Sequence, residues 1–167
     1  MSQPAFADLK ILVLDQNLNR ARLIRDLLDN VGVGETFVTT AADAASDWVR
    51  GGNCSLALVD LVDVDEISSP ALFMAALRDP KRTSASGLPV LGVMAEVTKE
   101  SLMSAVHIGA DFVIQRPFSV KSLSDRVTSM IAAPAPQFSS IDYVGPDRRR
   151  MPDGLYDGDQ RRDGDDA

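Results

Sequence analysis

Cysteine is nearly missing from this chain, since Cys54 stands alone among 167 residues. No intrachain disulfide can form, which suits a reducing compartment. Cys54 itself reads as a small residue ahead of a buried strand. Histidine is equally scarce. His107 has no cysteine or second histidine near it in the chain, so no zinc-type ligand set is present. Long apolar runs are missing too. No stretch of about 18 apolar residues occurs, and residues 1–10 lack the apolar core of a signal peptide. Both absences predict a cytoplasmic chain that spans no membrane. Positive charge is in deficit, with a net formal charge of −7. A broad nucleic-acid surface needs clustered Lys and Arg, so duplex binding is disfavoured. Aromatic residues are few, and the lone Trp48 reads as packing on the second helix.

What is present is an ordinary globular composition, 45% hydrophobic and 25% charged, enough for one cored domain and an appendage. Strand and helix patterns alternate over residues 10–132. Strands are predicted at 10–15, 36–40, 56–60, 89–94 and 111–115. Helices are predicted at 19–31, 42–50, 70–78, 98–108 and 120–131. Pro70 suits the first turn of its helix, Thr98 and Ser119 are candidate N-caps, and Gly109 is a stop signal. Five such units predict an α/β, flavodoxin-like, doubly wound (βα)5 parallel sheet in the order 2-1-3-4-5. Sites in such sheets lie beyond the carboxyl ends of the strands. Asp15, Asp60 and Arg116 all fall there, so one cleft is expected to gather them.

The segments ILVLDQN, LALVD and GADFVIQRPF, taken together over residues 9–132, resemble the receiver domain of bacterial response regulators. The resemblance implies that Asp60 is the phosphoacceptor. It also implies that two adjacent acids after the first strand hold Mg²⁺ with it. Asp15 matches the first acid, but Gln16 stands at the second and offers no charge. The implied Mg²⁺ site, Asp15 with Asp60, is therefore a weak one. Asp63, Asp65 and Glu66 read as a solvated acidic loop rather than as replacement ligands. Met94 stands where the family places a Ser or Thr that donates to the phosphoryl group. Arg116 replaces the usual Lys and is shaped to grip a carboxylate by two bonds. Val113 occupies the aromatic switch position. Phe112, one residue off, faces the other way by strand alternation.

Two readings of Asp60 follow: a live phosphoacceptor with weakened metal dependence, or a structural partner of Arg116. Three altered partner groups favour the second. Catalysis on an external substrate is not expected, because Val62 stands where a haloacid-dehalogenase-type phosphatase needs a second aspartate. The resemblance implies a stand-alone signalling module in a phosphorelay or related pathway. Partner proteins would meet its residues 98–132.

Residues 1–132 are thus expected as the receiver-like domain, 133–140 as a Pro/Ala linker and 141–167 as a tail. The region beyond residue 136 has few apolar groups and is expected to be disordered. It repeats Tyr-x-Gly-x-x-Arg-Arg at Tyr143 and Tyr156. Arg150-x-x-Asp153 and Arg162-x-x-Asp165 resemble cyclic-di-GMP inhibitory-site patterns, and the whole resembles CheY-like cyclic-di-GMP effectors. On that alternative, Tyr143, Arg148, Arg149, Arg150, Asp153, Arg161 and Arg162 would hold the nucleotide by stacking and forked hydrogen bonds. A protein-binding tail is the remaining option. Duplex DNA is disfavoured there, since residues 137–167 carry eight Asp against five Arg.

Overall fold

The strand segments are apolar on both of their faces, which only a sheet covered on both sides can accommodate. In the computed structural model, which describes residues 5–149, they form that sheet. After a short 3-10 turn, β1 (Lys10–Leu14), β2 (Glu35–Thr39), β3 (Leu56–Asp60), β4 (Val90–Met94) and β5 (Phe112–Gln115) lie parallel in the order β2-β1-β3-β4-β5. Every residue of β3 and β4 is buried. The connecting helices are α1 (Leu18–Val31), α2 (Ala42–Arg50), α3 (Ser69–Arg78), α4 (Lys99–Ile108) and α5 (Val120–Ala132). These elements and their order match the sequence-based expectation, with ends shifted by a residue or so.

Strand alternation sorts the core into two halves. Leu12, Leu14, Ala57, Val59 and Val113 pack with α2, α3 and α4. Ile11, Val13, Leu58 and Leu91 pack with α1 and α5. Phe112 lies with the second half and Val113 with the first, so the aromatic ring does face away from the switch position. The Arg126 guanidinium lies 5.1 Å above the Phe112 ring. Trp48 packs as expected, stacked on Phe37 at 5.4 Å between ring centres.

The caps lie where the sequence marks them. The Thr98 side chain accepts from the Ser101 N–H, and the Ser101 hydroxyl accepts from the Thr98 N–H in return. Ser119 caps α5 through the Ser122 N–H. Gly109 ends α4 at φ 102°, a left-handed conformation that favours glycine.

The described part of the expected linker and tail departs from the expectation. Residues 133–136 lie in no helix or strand, as a linker would, but the chain beyond them is ordered where a disordered extension is expected. Gln137–Ser139 (β6) and Val144–Pro146 (β7) form an antiparallel hairpin. Tyr143 at its turn is buried, and its hydroxyl donates to the Pro146 carbonyl. A buried polar anchor, joined by the buried Tyr143 ring, is the reason. Arg78, 2% exposed, donates to the carbonyls of Gly109, Ser86 and Leu88 and pairs with Asp111 at 3.0 Å. Asp111 also accepts from the Val90 N–H and from Gln137. The hairpin covers this group, and Lys81 reaches Asp142 at 2.7 Å. A Cβ on Gly145 would stand 2.7 Å from the Arg78 Cδ and 2.8 Å from the Tyr143 hydroxyl, so glycine is what lets β7 lie this close to those two side chains. Expectations for Arg150, Asp153, Tyr156, Arg161 and Arg162 lie outside the described residues.

Candidate functional site: a carboxylate cleft bridged by arginine

Parallel strands end together, and β1 and β3 are adjacent with Leu14 beside Val59. Their next residues, Asp15 and Asp60, are thereby brought side by side at the carboxyl edge. Both side chains are only 1% exposed. Asp15 accepts from the Asn17 N–H at 2.7 Å, and Asp60 from the Val62 N–H at 3.3 Å. Two such carboxylates repel each other unless a cation joins them.

The cation is Arg20, which sequence reasoning missed. Its Nη2 donates to Asp15 Oδ1 at 2.9 Å and to Asp60 Oδ2 at 3.1 Å, and its Nε donates to Asp15 Oδ2 at 3.2 Å. The guanidinium therefore grips Asp15 with two bonds and spans to Asp60 with a third. A signal was available. Arg20 lies in the first turn of α1, whose Asn17 cap accepts from the Arg20 N–H. Helical side chains lean toward the helix amino terminus, which here is the sheet edge.

Arg116 is where the sequence predicts. The Met94 carbonyl, at the end of β4, accepts from its N–H at 2.8 Å. Its side chain stands more loosely than expected, 3.6 Å from Asp60 and 4.0 Å from Asp15. These are ion pairs, not the two-bond grip anticipated, and the Asp15 Oδ2 that Arg116 faces already accepts from Arg20. The Arg116–Pro117 peptide bond is cis. Met94 is buried, and Gln16 is exposed, its amide donating to the Val62 carbonyl at 3.4 Å. The acidic loop stays in solvent, with Asp63, Asp65 and Glu66 all exposed. Asp65 accepts from the Ile67 N–H.

Burial is the main influence on Asp60 and pushes its carboxyl above the usual range. The neighbouring Asp15 charge pushes the same way, while the Val62 N–H, Arg116 and Arg20 pull it down. Arg20 is driven further toward its charged form, chiefly by its bond to Asp15. Cys54, away from the cleft, has its thiol pushed up to about 11 by burial, consistent with a packing role.

The residues present do not fit a Mg²⁺ site. Mg²⁺ requires hard oxygen ligands in near-octahedral array at about 2.0–2.1 Å. Here Gln16 is exposed and donating, and a guanidinium lies within 3.1 Å of both acids. Among the described residues, no group of three or more His, Cys, Asp or Glu is placed to hold a metal.

Of the expected nucleotide-binding residues, three are described. The Tyr143 ring is buried and carries the Arg148 guanidinium 3.9 Å above it. Arg149 is paired with Asp147 at 3.1 Å and lies over Phe138. Tyr143 thus does not offer the free stacking face expected of it, because the hairpin has used it.

No family profile matches the chain. The chain is 24% identical to the chemotaxis protein CheY of Pseudomonas aeruginosa over 119 residues, 71% of this chain and 93% of that protein. Its structure superposes on the chemotaxis protein CheY4 of Vibrio cholerae with a TM-score of 0.60 at 17% identity, covering 71% of this chain and 95% of that one. The fold is that of CheY. Among others sharing this receiver fold is the Saccharomyces cerevisiae Ssk1 receiver domain, solved with the histidine phosphotransfer protein Ypd1. That match has a TM-score of 0.63 at 16% identity and covers 79% of this chain and 92% of that one. The receiver fold accounts for residues up to α5. No helix among the described residues is long and apolar enough to cross a membrane.

Proposed function

We propose that this protein is a bacterial two-component signalling receiver that works by binding partner proteins, not by turnover, and that Asp60 receives little or no phosphoryl group. The fold and the similarity to a CheY sequence support the receiver reading. The observation that carries the second part is the engagement of both cleft carboxylates by Arg20, with Arg116 alongside. An incoming phosphoryl group would have to displace those ion pairs, with Met94 contributing no donor. The arginines supply to the two acids the positive charge that a bound cation would otherwise supply.

Partner binding falls to α4, β5 and α5, within residues 98–132. The Ssk1 receiver is one of this fold solved with a signalling partner. Of that face only α4 lines an open groove of about 1050 Å³, which it shares with Leu61, Val64, Ala71 and Met94 and with no residue of β5 or α5. Met103 stands 55% exposed in it, and exposed apolar surface of this kind marks interaction sites. The test is intact-mass analysis after incubation with acetyl phosphate and Mg²⁺. Little or no phosphoryl adduct is expected. A stoichiometric adduct that disappears in Asp60→Asn would overturn the reading.

The cyclic-di-GMP alternative draws no support from the described residues. Tyr143 is buried, and Arg148 and Arg149 are each engaged within the hairpin region.

A further inference from the structure

Receiver-like clefts gather carboxylates, and gathered carboxylates attract divalent cations. In this chain the position between them is already filled by Arg20. Its Nη2 lies 2.9 Å from Asp15 Oδ1 and 3.1 Å from Asp60 Oδ2, so one nitrogen bridges the two acids. Its Nε closes a second bond to Asp15. With Arg116 alongside, two carboxylates face two guanidinium groups and the cluster is neutral. A divalent ion approaching a neutral cluster gains little Coulomb attraction and must displace charge-assisted hydrogen bonds to reach an oxygen.

We propose that Arg20 is a built-in cation of the cleft, a positioning residue whose guanidinium replaces a divalent ion between Asp15 and Asp60 and keeps such ions out. The design is economical in geometry. The Asn17 cap holds the Arg20 backbone at the first turn of α1, so the side chain needs only to fold back over the sheet edge. Arg20 is 38% exposed while the carboxylates are 1% exposed. The guanidinium thus lies between the acids and solvent, with Arg116, 21% exposed, beside it. Removing it should uncover a cation site of two carboxylates that the wild-type chain conceals. This inference concerns ion occupancy and does not depend on the signalling reading.

The test uses the full chain, with Mn²⁺ as a paramagnetic probe for the Mg²⁺ class of hard cation. Free Mn²⁺ is followed by electron paramagnetic resonance, and the site by broadening of the backbone amides around Asp15, Asp60 and Val62. Wild type is expected to show no selective broadening at the cleft. Arg20→Met, which keeps an unbranched apolar stem and removes the charged head, is expected to gain Mn²⁺ affinity by roughly tenfold or more, in line with the dependence of such sites on ligand charge. Adding Asp15→Asn should abolish the gain. Arg20→Lys, which keeps the charge but loses the fork, should fall between. Equal cleft affinity in wild type and a folded Arg20→Met would overturn the proposal, as would a folded Arg20→Met that gains nothing. Should Arg20→Met fail to fold, Arg20→Lys provides the same comparison. Selective cleft broadening of the wild type by stoichiometric Mn²⁺ overturns it without any variant.

Discussion

Asp60 is held in two opposed ways. Burial and the Asp15 charge make its ionised form costly, while Arg20, Arg116 and the Val62 N–H favour it, and the balance lies with burial. Folding therefore favours the protonated side chain relative to the unfolded chain. A carboxyl raised in this way lends stability that is full below the unfolded range and is lost as pH rises through the folded value. Asp60→Asn should then be more stable than wild type near pH 7. The difference should close as pH falls below about 4, the unfolded aspartate range. Thermal melting across pH checks this, and a variant less stable at neutral pH would mean that the arginines outweigh burial. Arg78 is a different case, since burial pulls its pKa down and Asp111 offsets only part of that. Arg78→Ala leaves the Asp111 charge buried beside an empty space, and should cost about 3–5 kcal/mol in urea denaturation.

At the scale of elements, α4 is marked at both ends and faces the groove. Its start rests on the reciprocal Thr98–Ser101 bonds. Thr98→Ala should cost roughly 0.5–2 kcal/mol of global stability. The hairpin of β6 and β7 depends on close approach instead. Its Gly145 leaves no room for a methyl group against Arg78 and Tyr143. Gly145→Ala should raise hydrogen exchange across residues 137–146 while the amides of β1 and β3 stay protected. Unchanged exchange in the hairpin would show that the packing there is looser than the distances imply.

Over residues 5–149 a receiver fold is extended by a hairpin at the amino-terminal side of β4 and β5, opposite the carboxylate cleft. Asp111 links these parts, since it accepts from Val90, Gln137 and Arg78 at once. Cutting the chain at Ala132 should leave the five-stranded sheet folded but uncover Arg78. Relative to a chain ending at Arg149, the loss should be roughly 2–4 kcal/mol, from one buried tyrosine and the exposed ion-pair group. Paired urea titrations of the two lengths check it, and equal midpoints would mean that the hairpin is decoration.

The sheet was legible because it rests on local pattern. Apolar runs of strand length, cap residues at Thr98 and Ser119, and stop signals such as Gly109 act within a few residues of themselves. Strict alternation then leaves few parallel topologies. Asp15, Asp60 and Arg116 could be placed in one cleft for the same reason, since each ends a strand of that sheet. Tertiary structure alone decided which cation joins the acids. Arg20 and Arg116 face the same two carboxylates; the first-turn position of Arg20 put it within reach of the sheet edge, but which guanidinium makes the closer bonds depends on how both side chains pack there. It alone also decided the fate of residues 137–149. Their low apolar content argues for a free tail, but the anchor is a buried arginine from α3, remote in sequence, that needs its carbonyl and carboxylate partners covered. Burial of a polar group is a non-local demand, and a chain read residue by residue does not reveal where it will be met.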